Sequence, residues 1–314
     1  FGSSGATGCV LSILPSQLYL CGLAMRLSSK EGDVSLRGHT LVVPGVGGIT
    51  PLGQLCTDAA VATFELHQVA IVHSRHVLPV VMASAWEATA RAKGHLPITT
   101  AVELYQSTTK PLLSVLQLRS PIIEGRRQTF AEELWCWACS EGVAEILILG
   151  SCSSHVKGDA DLVAATDLRY VCVNLADKDA IVKTLGSEVL PLSHNLEDTS
   201  SSEQDRDILA VQQLLRGSGI ARSILFNASE STQQDASAEC NKEPCSAANA
   251  PGVLCLIGMT SETLNWHGMT QLARVACKCI ERRLPPAMAD IEFRSPPSWQ
   301  FQMELAASPQ QLWG

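Results

Sequence analysis

The sequence is poor in charged and in aromatic side chains. Only 17% of its 314 residues are charged and 5% are aromatic, and the net charge is −8. A chain of this kind has no basic field for a phosphate backbone, so we do not expect it to bind nucleic acid. Its one apolar N-terminal run, residues 9–24, contains Pro15 and has no Lys or Arg before it. We therefore expect neither a secretory signal nor a membrane span.

The sequence also lacks a compact cysteine framework. Its 12 cysteines are scattered along the chain, unlike those of a small secreted scaffold. We expect reduced thiols and a cytoplasmic and nuclear location. Because the chain begins at Phe1, either an earlier start is missing or residues 1–24 lie outside the native reading frame, with Met25 as the start.

What the sequence does have is apolar runs that alternate with helical patterns, and 46% apolar residues to build a core. This alternation predicts a layered α/β fold. Thr50 is predicted to cap a helix with Pro51 at its first position, and Thr129 to open another that ends near Ser140. A long helix is predicted from about Ser261 to Arg283. Predicted strands lie within residues 39–45, 68–73, 110–120, 144–150, 168–174 and 252–259.

The pattern predicts one α/β domain over residues 37–294. An N-terminal extension, residues 1–36, precedes it, and a C-terminal tail, residues 295–314, follows it. Two polar insertions interrupt the domain near 195–207 and 227–251. Since they carry few branched or aromatic residues, we expect both to be mobile surface loops.

Cys136 and Cys139 form a C-x-x-C motif, which suggests a thiol–disulfide oxidoreductase. A redox motif of this type needs a helix N-terminus, which lowers the thiol pKa. Here the cysteines fall in the C-terminal half of the helix that begins at Thr129, close to Glu132. The helix dipole and the carboxylate both disfavour a thiolate, so we disfavour the redox hypothesis.

Ser151, Cys152 and His155 follow a predicted strand, where α/β proteins often hold their chemistry. The G-x-S-x-G pattern of a nucleophile elbow is missing, so we favour an irregular loop. An enzyme that uses the Ser151–His155 loop, either nucleoside-phosphorylase-like or a hydrolase, remains the alternative function.

Two further patterns fall short of a cofactor site. The glycine-rich run 45–50 has Thr50 where a dinucleotide motif needs its third glycine, so we expect a strand-to-helix turn with positive φ angles. No set of His and Cys residues has the spacing of four metal ligands. The partial sets considered are His73 with His76, and Cys240, Cys245 and Cys255. We therefore expect no cofactor and no metal.

The last three residues are Leu312, Trp313 and Gly314. A hydrophobic–aromatic–any ending on a proline-interrupted tail can insert into a pocket, with its carboxylate held by a lysine or by backbone donors. These three residues are our candidates for partner binding.

Several segments, in order, resemble the PAC2 family of proteasome assembly chaperones. They are residues 38–64, with "GHTLVVPGVGGITPLGQL", 116–162, with "LQLRS" and "SCSSH", 168–173, 214–225, with "LLRGSGIARSIL", and 296–299, "PPSW". The resemblance covers about Arg37 to Trp299 and leaves residues 1–36 without a counterpart. At the chain end, Trp313 stands where the partner-binding motif of this chaperone class has tyrosine.

The resemblance implies a three-layer α/β/α domain like that of nucleoside phosphorylases, with irregular terminal segments. It implies a non-enzymatic chaperone subunit that pairs with proteasome assembly chaperone 1 as a heterodimer. The pair would bind α-type proteasome subunits at the outer face of the α-ring and promote its assembly. It would require no cofactor, with Leu312 as a hydrophobic plug, Trp313 as an aromatic anchor and the Gly314 carboxylate as a charge partner.

Overall fold

The computed structural model describes residues 25–29, 34–83, 98–107, 112–157, 163–192, 217–234, 250–261, 265–284 and 291–299. Within these segments nine strands form one sheet, and a separate two-stranded ribbon lies beside it. The strands are β1 Arg26–Ser29, β2 Thr40–Pro44, β3 His67–His73, β4 Val81–Ala83, β5 Ile98–Thr100, β6 Val102–Gln106, β7 Leu113–Leu118, β8 Glu145–Ser153, β9 Leu168–Val173, β10 Leu190–Pro191 and β11 Gly252–Thr260.

The sheet has the order β1-β3-β6-β7-β2-β8-β11-β9-β10. The four central strands β7, β2, β8 and β11 are parallel, so their carboxyl ends share one edge. The pairs β1–β3, β3–β6, β6–β7 and β9–β11 are antiparallel. Every residue of β2, β7 and β11 is buried, as expected for strands covered on both faces.

Five helices cover the two faces among the described residues. They are α1 Leu52–Thr63, α2 Arg127–Ser140, α3 Lys178–Leu185, α4 Ala221–Gln234 and α5 Trp266–Glu281. Alternate residues of β8 point to opposite faces: Ile146 and Ile148 join the core with α2 and α4, whereas Leu147 and Leu149 join the core with α1, α3 and α5. The predicted three-layer α/β/α domain is confirmed.

The helix starts differ from the predicted ones. Pro51 occupies the N-cap position of α1 without a side-chain capping bond, and Thr50 is buried instead of capping. Helix α2 begins at Arg127, two residues before Thr129, and also lacks a side-chain cap. Residues 124–128, at the start of α2, are exposed, so water can satisfy the first helical amides without a capping side chain.

The folded domain extends past both predicted boundaries. Strand β1 pairs with β3, and Met25 is buried in the core, so the domain begins before residue 37. Trp299 is 1% exposed, so the domain also includes residues after 294. Helix α4 runs to Gln234, so the first part of the predicted insertion at 227–251 is helical. Residues 195–207 and 235–249 lie outside the described residues.

None of the helices in the described segments is long and apolar enough to span a bilayer.

Candidate functional site

The structure does not bring together the alternative nucleophile loop at Ser151–His155, and the favoured irregular loop is wrong up to Ser153. Strand β8 continues through Ser153 because it pairs with β11 over its full length. Ser151 is buried, and its hydroxyl donates to the carbonyl of Thr50 at 3.3 Å. Cys152 lies in the core, where burial raises the pKa of its thiol to about 11. His155 is exposed beyond the strand, and the described residues show no hydrogen bond between it and Ser151.

The C-x-x-C motif lies in the last turns of α2, as its sequence predicts. Cys139 is buried in the core beside Trp135, and Cys136 is half-buried. The motif is therefore at the C-terminal end of a helix, where the backbone carbonyls disfavour a thiolate. This geometry does not support a redox site.

The glycine-rich run forms the predicted turn from β2 to α1. Gly47 has a φ angle of +82°, which confirms the expected positive φ. The turn packs directly on β8: the amide of Gly45 donates to the carbonyl of Leu149 at 2.6 Å. A Cβ on Gly53 would lie 2.1 Å from the same carbonyl oxygen. These glycines allow the turn to pack closely on the backbone of β8. A small cavity of about 210 Å³ lies at the turn.

Of the weak metal candidates, the structure describes His73, His76 and Cys255. His73 is exposed on β3, whereas His76 is buried behind the strand end. Cys255 is buried in the centre of the sheet, where burial raises the pKa of its thiol. Cys240 and Cys245 lie outside the described residues. In the part of the chain that the structure describes, no group of three or more His, Cys, Asp or Glu residues could hold a metal ion.

The predicted tail contacts Leu312, Trp313 and Gly314 lie outside the described residues. The segment before them, residues 291–299, crosses α1 from its C-terminal end to its first turns. Arg294 exchanges hydrogen bonds with Thr63 at the end of α1. The indole N–H of Trp299 donates to the carbonyl of Leu55 at 3.1 Å. The chain therefore leaves residue 299 near the edge formed by the carboxyl ends of the central strands.

Among the described residues, exposed large apolar side chains are concentrated on and beside the ribbon formed by β4 and β5. Val81 is 69% exposed, Met82 41% and Ile98 60%, and the neighbouring Leu78 is 44% exposed. These residues account for half of the eight large apolar side chains that are exposed among the described residues. A cluster of this kind marks a surface that other molecules bind. We call these four residues the ribbon patch.

A cleft lies between the ribbon and the edge of the large sheet. Its volume is about 580 Å³, and its floor includes Ile71 and Val72 of β3 and Val102 of β6. The side chain of Val81 and that of Glu133, on α2, stand at its walls. The cleft has the size of a site for several apolar side chains. Its described polar lining includes Ser74, whose hydroxyl donates to the carboxylate of Glu133 at 2.9 Å.

A buried carboxylate fixes the ribbon to the large sheet. Glu103, on β6, is fully buried and accepts hydrogen bonds from the Thr99 hydroxyl at 2.8 Å and the Thr100 amide at 2.8 Å, both on β5. It also accepts from the Tyr105 hydroxyl at 2.7 Å and from Gln68 at 3.2 Å. Burial, followed by the nearby Glu103 carboxylate, raises the pKa of Tyr105. The Thr100 hydroxyl donates a fifth hydrogen bond, at 3.5 Å. The five donors hold the carboxylate in place and connect the ribbon to the large sheet.

Sequence patterns do not indicate this surface. The apolar segment 77–83 resembles a core strand in composition, and only the structure shows that Leu78, Val81 and Met82 are exposed. Pro79 was the one available signal, because proline is confined to the edges of sheets.

A family model, the PAC2 family, matches residues 42–181. Among curated proteins, proteasome assembly chaperone 2 of Mus musculus is 29% identical over 175 residues, and that of Danio rerio 24% identical over 278 residues. The matched region covers 55% of this chain and 64% of the mouse protein, just under two thirds of that relative's length. It covers 88% of this chain and 95% of the zebrafish protein.

Over residues 42–181 the chain is thus similar to the PAC2 family.

Solved structures agree with a PAC2-family fold. PbaA of Pyrococcus furiosus, described as an archaeal homolog of proteasome-assembly chaperone, has a TM-score of 0.54 at 11% identity, over 92% of this chain and 96% of PbaA. PbaB of the same organism, described as an archaeal proteasome activator, has a TM-score of 0.52 at 12% identity, over 90% of this chain and 97% of PbaB. At these identities the likeness is one of fold.

Proposed function

We propose that this chain is a non-enzymatic subunit of a proteasome assembly chaperone. It pairs with proteasome assembly chaperone 1, and the pair binds α-type proteasome subunits at the outer face of the α-ring and promotes ring assembly. We also propose a cytoplasmic and nuclear location. Relatives named proteasome assembly chaperone 2 support the assignment, since they match up to 88% of this chain.

The observation that carries the proposal is the ribbon patch. A chaperone subunit acts by binding other proteins, which requires an apolar surface surrounded by polar groups. Val81 and Ile98, both more than half exposed, provide such a surface on a part of the fold that Glu103 holds in place. The alternative nucleophile loop, by contrast, has its serine buried and bonded to Thr50.

The C-terminal segment supports a second contact through the tail. Trp299 and Ser298 are hydrogen-bonded to residues of α1, so the C-terminal tail leaves the domain at a fixed position. A tethered tail binds with a high effective concentration once the domain is docked. In this proposal Leu312 fills an apolar pocket, Trp313 stacks beside it and the Gly314 carboxylate pairs with a basic group.

Affinity purification of the full chain from cells, followed by mass spectrometry, tests the proposal. We expect proteasome assembly chaperone 1 and α-type subunits to co-purify, with few mature β-type subunits. Recovery of neither chaperone 1 nor α-type subunits would contradict the proposed function. Fractionation of the same cells into cytoplasm and nucleus tests the location.

Deletion of residues 312–314 tests the tail separately. We expect the variant to keep its pairing with chaperone 1 and to bind α-subunit intermediates at least about tenfold more weakly, because avidity is lost. A matched variant that replaces Gln310 and Gln311 with alanine keeps the chain length and should bind as the wild type does. Unchanged α-subunit binding after the deletion would remove the tail from the proposal.

A further inference from the structure

We propose that the ribbon patch and the cleft beside it bind a segment of the second chaperone subunit that combines apolar side chains with flanking Asp or Glu. The identity of the subunit rests on the proposed function; the chemistry of the segment rests on the structure. The tail already provides a contact for the α-ring in the proposed function. The ribbon patch lies on a different part of the domain and is available for the pairing interface.

The ribbon and the floor of the cleft together form one apolar surface. Val81 is exposed on the ribbon and also lines the cleft, so the two surfaces are continuous. Ile71, Val77 and Val102 extend the apolar surface below it. A stable pairing interface places apolar side chains at its centre, where they exclude water. A cleft of about 580 Å³ accepts several branched or aromatic side chains.

The rim of the cleft carries basic side chains, which are complementary in charge to an acidic segment of a partner. Arg26 and Arg75 are exposed at the cleft, together with His73. Among the described residues no carboxylate lies within ion-pair distance of Arg26 or Arg75. Of the described residues that line the cleft, Glu133 is the one acid, and it already accepts a hydrogen bond from Ser74 at 2.9 Å.

The basic rim is a local exception on an acidic protein. The whole chain carries a net charge of −8, so two arginines that line a cleft with no carboxylate partner among the described residues stand out against the overall charge. The guanidinium of Arg75 donates to the ring of the neighbouring His76 at 3.4 Å, which does not neutralise its charge. Opposite potentials across an interface speed association and select the partner. The segment that occupies this cleft is therefore expected to carry acidic side chains next to its apolar ones.

The cleft is held in one shape before a partner binds. Glu103 fastens Thr99 and Thr100 of the ribbon to the large sheet. On the other side, the amide of Ile123 donates to the carbonyl of His76 at 2.8 Å, which fixes the chain as it enters the ribbon. A surface that is already ordered loses little conformational entropy on binding.

The first test uses the full chain with purified proteasome assembly chaperone 1 and measures the dissociation constant of the pair. Val81→Asp should weaken binding by at least about tenfold, since it places a charge at the centre of the interface. Val163 is 87% exposed away from the ribbon, so Val163→Asp is a matched control that should change binding by less than about twofold. Thermal unfolding verifies that both variants fold.

Charge reversal tests the acidic partner. Arg75→Glu combined with Arg26→Glu should weaken pairing by at least about tenfold, mainly through a slower association rate that depends less on salt. Arg222 is exposed on α4, so Arg222→Glu is the matched control. If Val81→Asp and the double reversal both leave the affinity within about twofold, the inference is wrong while the proposed pairing stands. If the wild-type chain itself does not bind chaperone 1, the proposed function is wrong, and this inference, which rests on it, is wrong as well.

A photo-crosslinking amino acid at Met82 identifies the bound segment, with the same group at Val163 as the control. We expect crosslinks from position 82 to a stretch of chaperone 1 in which Asp or Glu flanks apolar residues. Crosslinks to a basic stretch, to an α-type subunit alone, or none above the control in an intact pair would overturn the inference.

Discussion

The hydroxyl of Ser298 donates a hydrogen bond to the carboxylate of Asp58 at 2.9 Å, although the two residues lie 240 positions apart. The same carboxylate accepts from the guanidinium of Arg119 at 2.8 Å and from the amide of Gln117. One buried acid thus joins α1, the carboxyl end of β7 and the C-terminal segment. The start of the proposed docking tail depends on this acid.

Asp58→Asn should lower the free energy of unfolding by about 3–5 kcal/mol, because it leaves the mostly buried Arg119 without its counter-charge. Urea unfolding followed by circular dichroism measures the change. Glu65→Gln is the control, since the pair of Glu65 with Arg294 is more than half exposed and should contribute less than about 1 kcal/mol. Equal effects of the two substitutions would contradict the prediction.

Trp299→Ala should destabilise the domain by about 3–5 kcal/mol, because a fully buried indole is removed. Trp299→Phe keeps much of the ring contact with Phe293 and Trp266 and loses the hydrogen bond to Leu55. It should therefore cost only about 1–2 kcal/mol. Thermal and urea unfolding compare the two variants; a loss below about 1 kcal/mol for both would show that the segment is not part of the folded unit.

Glu103→Gln should loosen the ribbon, since the single carbonyl oxygen of a neutral amide cannot accept all five hydrogen bonds that the carboxylate receives. Hydrogen exchange measures the effect: the Thr100 amide, which donates to Glu103, should exchange about tenfold faster. Glu124 is exposed in a turn, and Glu124→Gln should leave exchange in the ribbon unchanged. The same Glu103 variant should pair more weakly with chaperone 1 if the ribbon is the interface.

Stability should fall at alkaline pH. Burial raises the thiol pKa of Cys152 to about 11 and that of Cys279 to about 12, above the unfolded value of about 8.5. The unfolded chain then releases protons that the folded chain retains, so the stabilisation is complete below the unfolded pKa and is lost as pH rises toward the folded pKa. Each such thiol lowers the free energy of unfolding by about 1.4 kcal/mol per pH unit in this window.

Urea unfolding at pH values between 8 and about 10.5 measures this slope, and Cys279→Ala should reduce it by the contribution of one group. A slope that does not change would mean that this thiol ionises equally in both states.

Gly53→Ala should destabilise the domain by about 3 kcal/mol or more, because its Cβ would lie 2.1 Å from the Leu149 carbonyl oxygen. Gly150→Ala is a suitable control, since the nearest atoms to its Cβ are 3.9 Å away. Unfolding midpoints of both variants test the difference. Comparable midpoints would show that α1 can move away from β8 without loss.

The sequence alone predicts the central strands well, because strands covered on both faces need near-continuous apolar runs. Strand β2 lies within its predicted run, whereas β11 extends one residue and β8 three residues beyond theirs. The glycine-rich turn has the expected conformation at Gly47. Helix starts are predicted poorly, since Thr50 satisfies a capping pattern yet is turned into the core. The candidate site is missed: an apolar run such as 77–83 has the same composition whether it is buried or exposed.

By itself, the sequence determined the α/β layering, the acidic surface and the position of Cys136 and Cys139 at the end of a helix, because these follow from local periodicity and composition. Only the tertiary structure decided that Ser151 is buried, that Val81 is exposed and that Ser298 reaches Asp58. The physical reason is that these properties depend on strand pairing and on contacts between residues far apart in the chain, which no local pattern encodes.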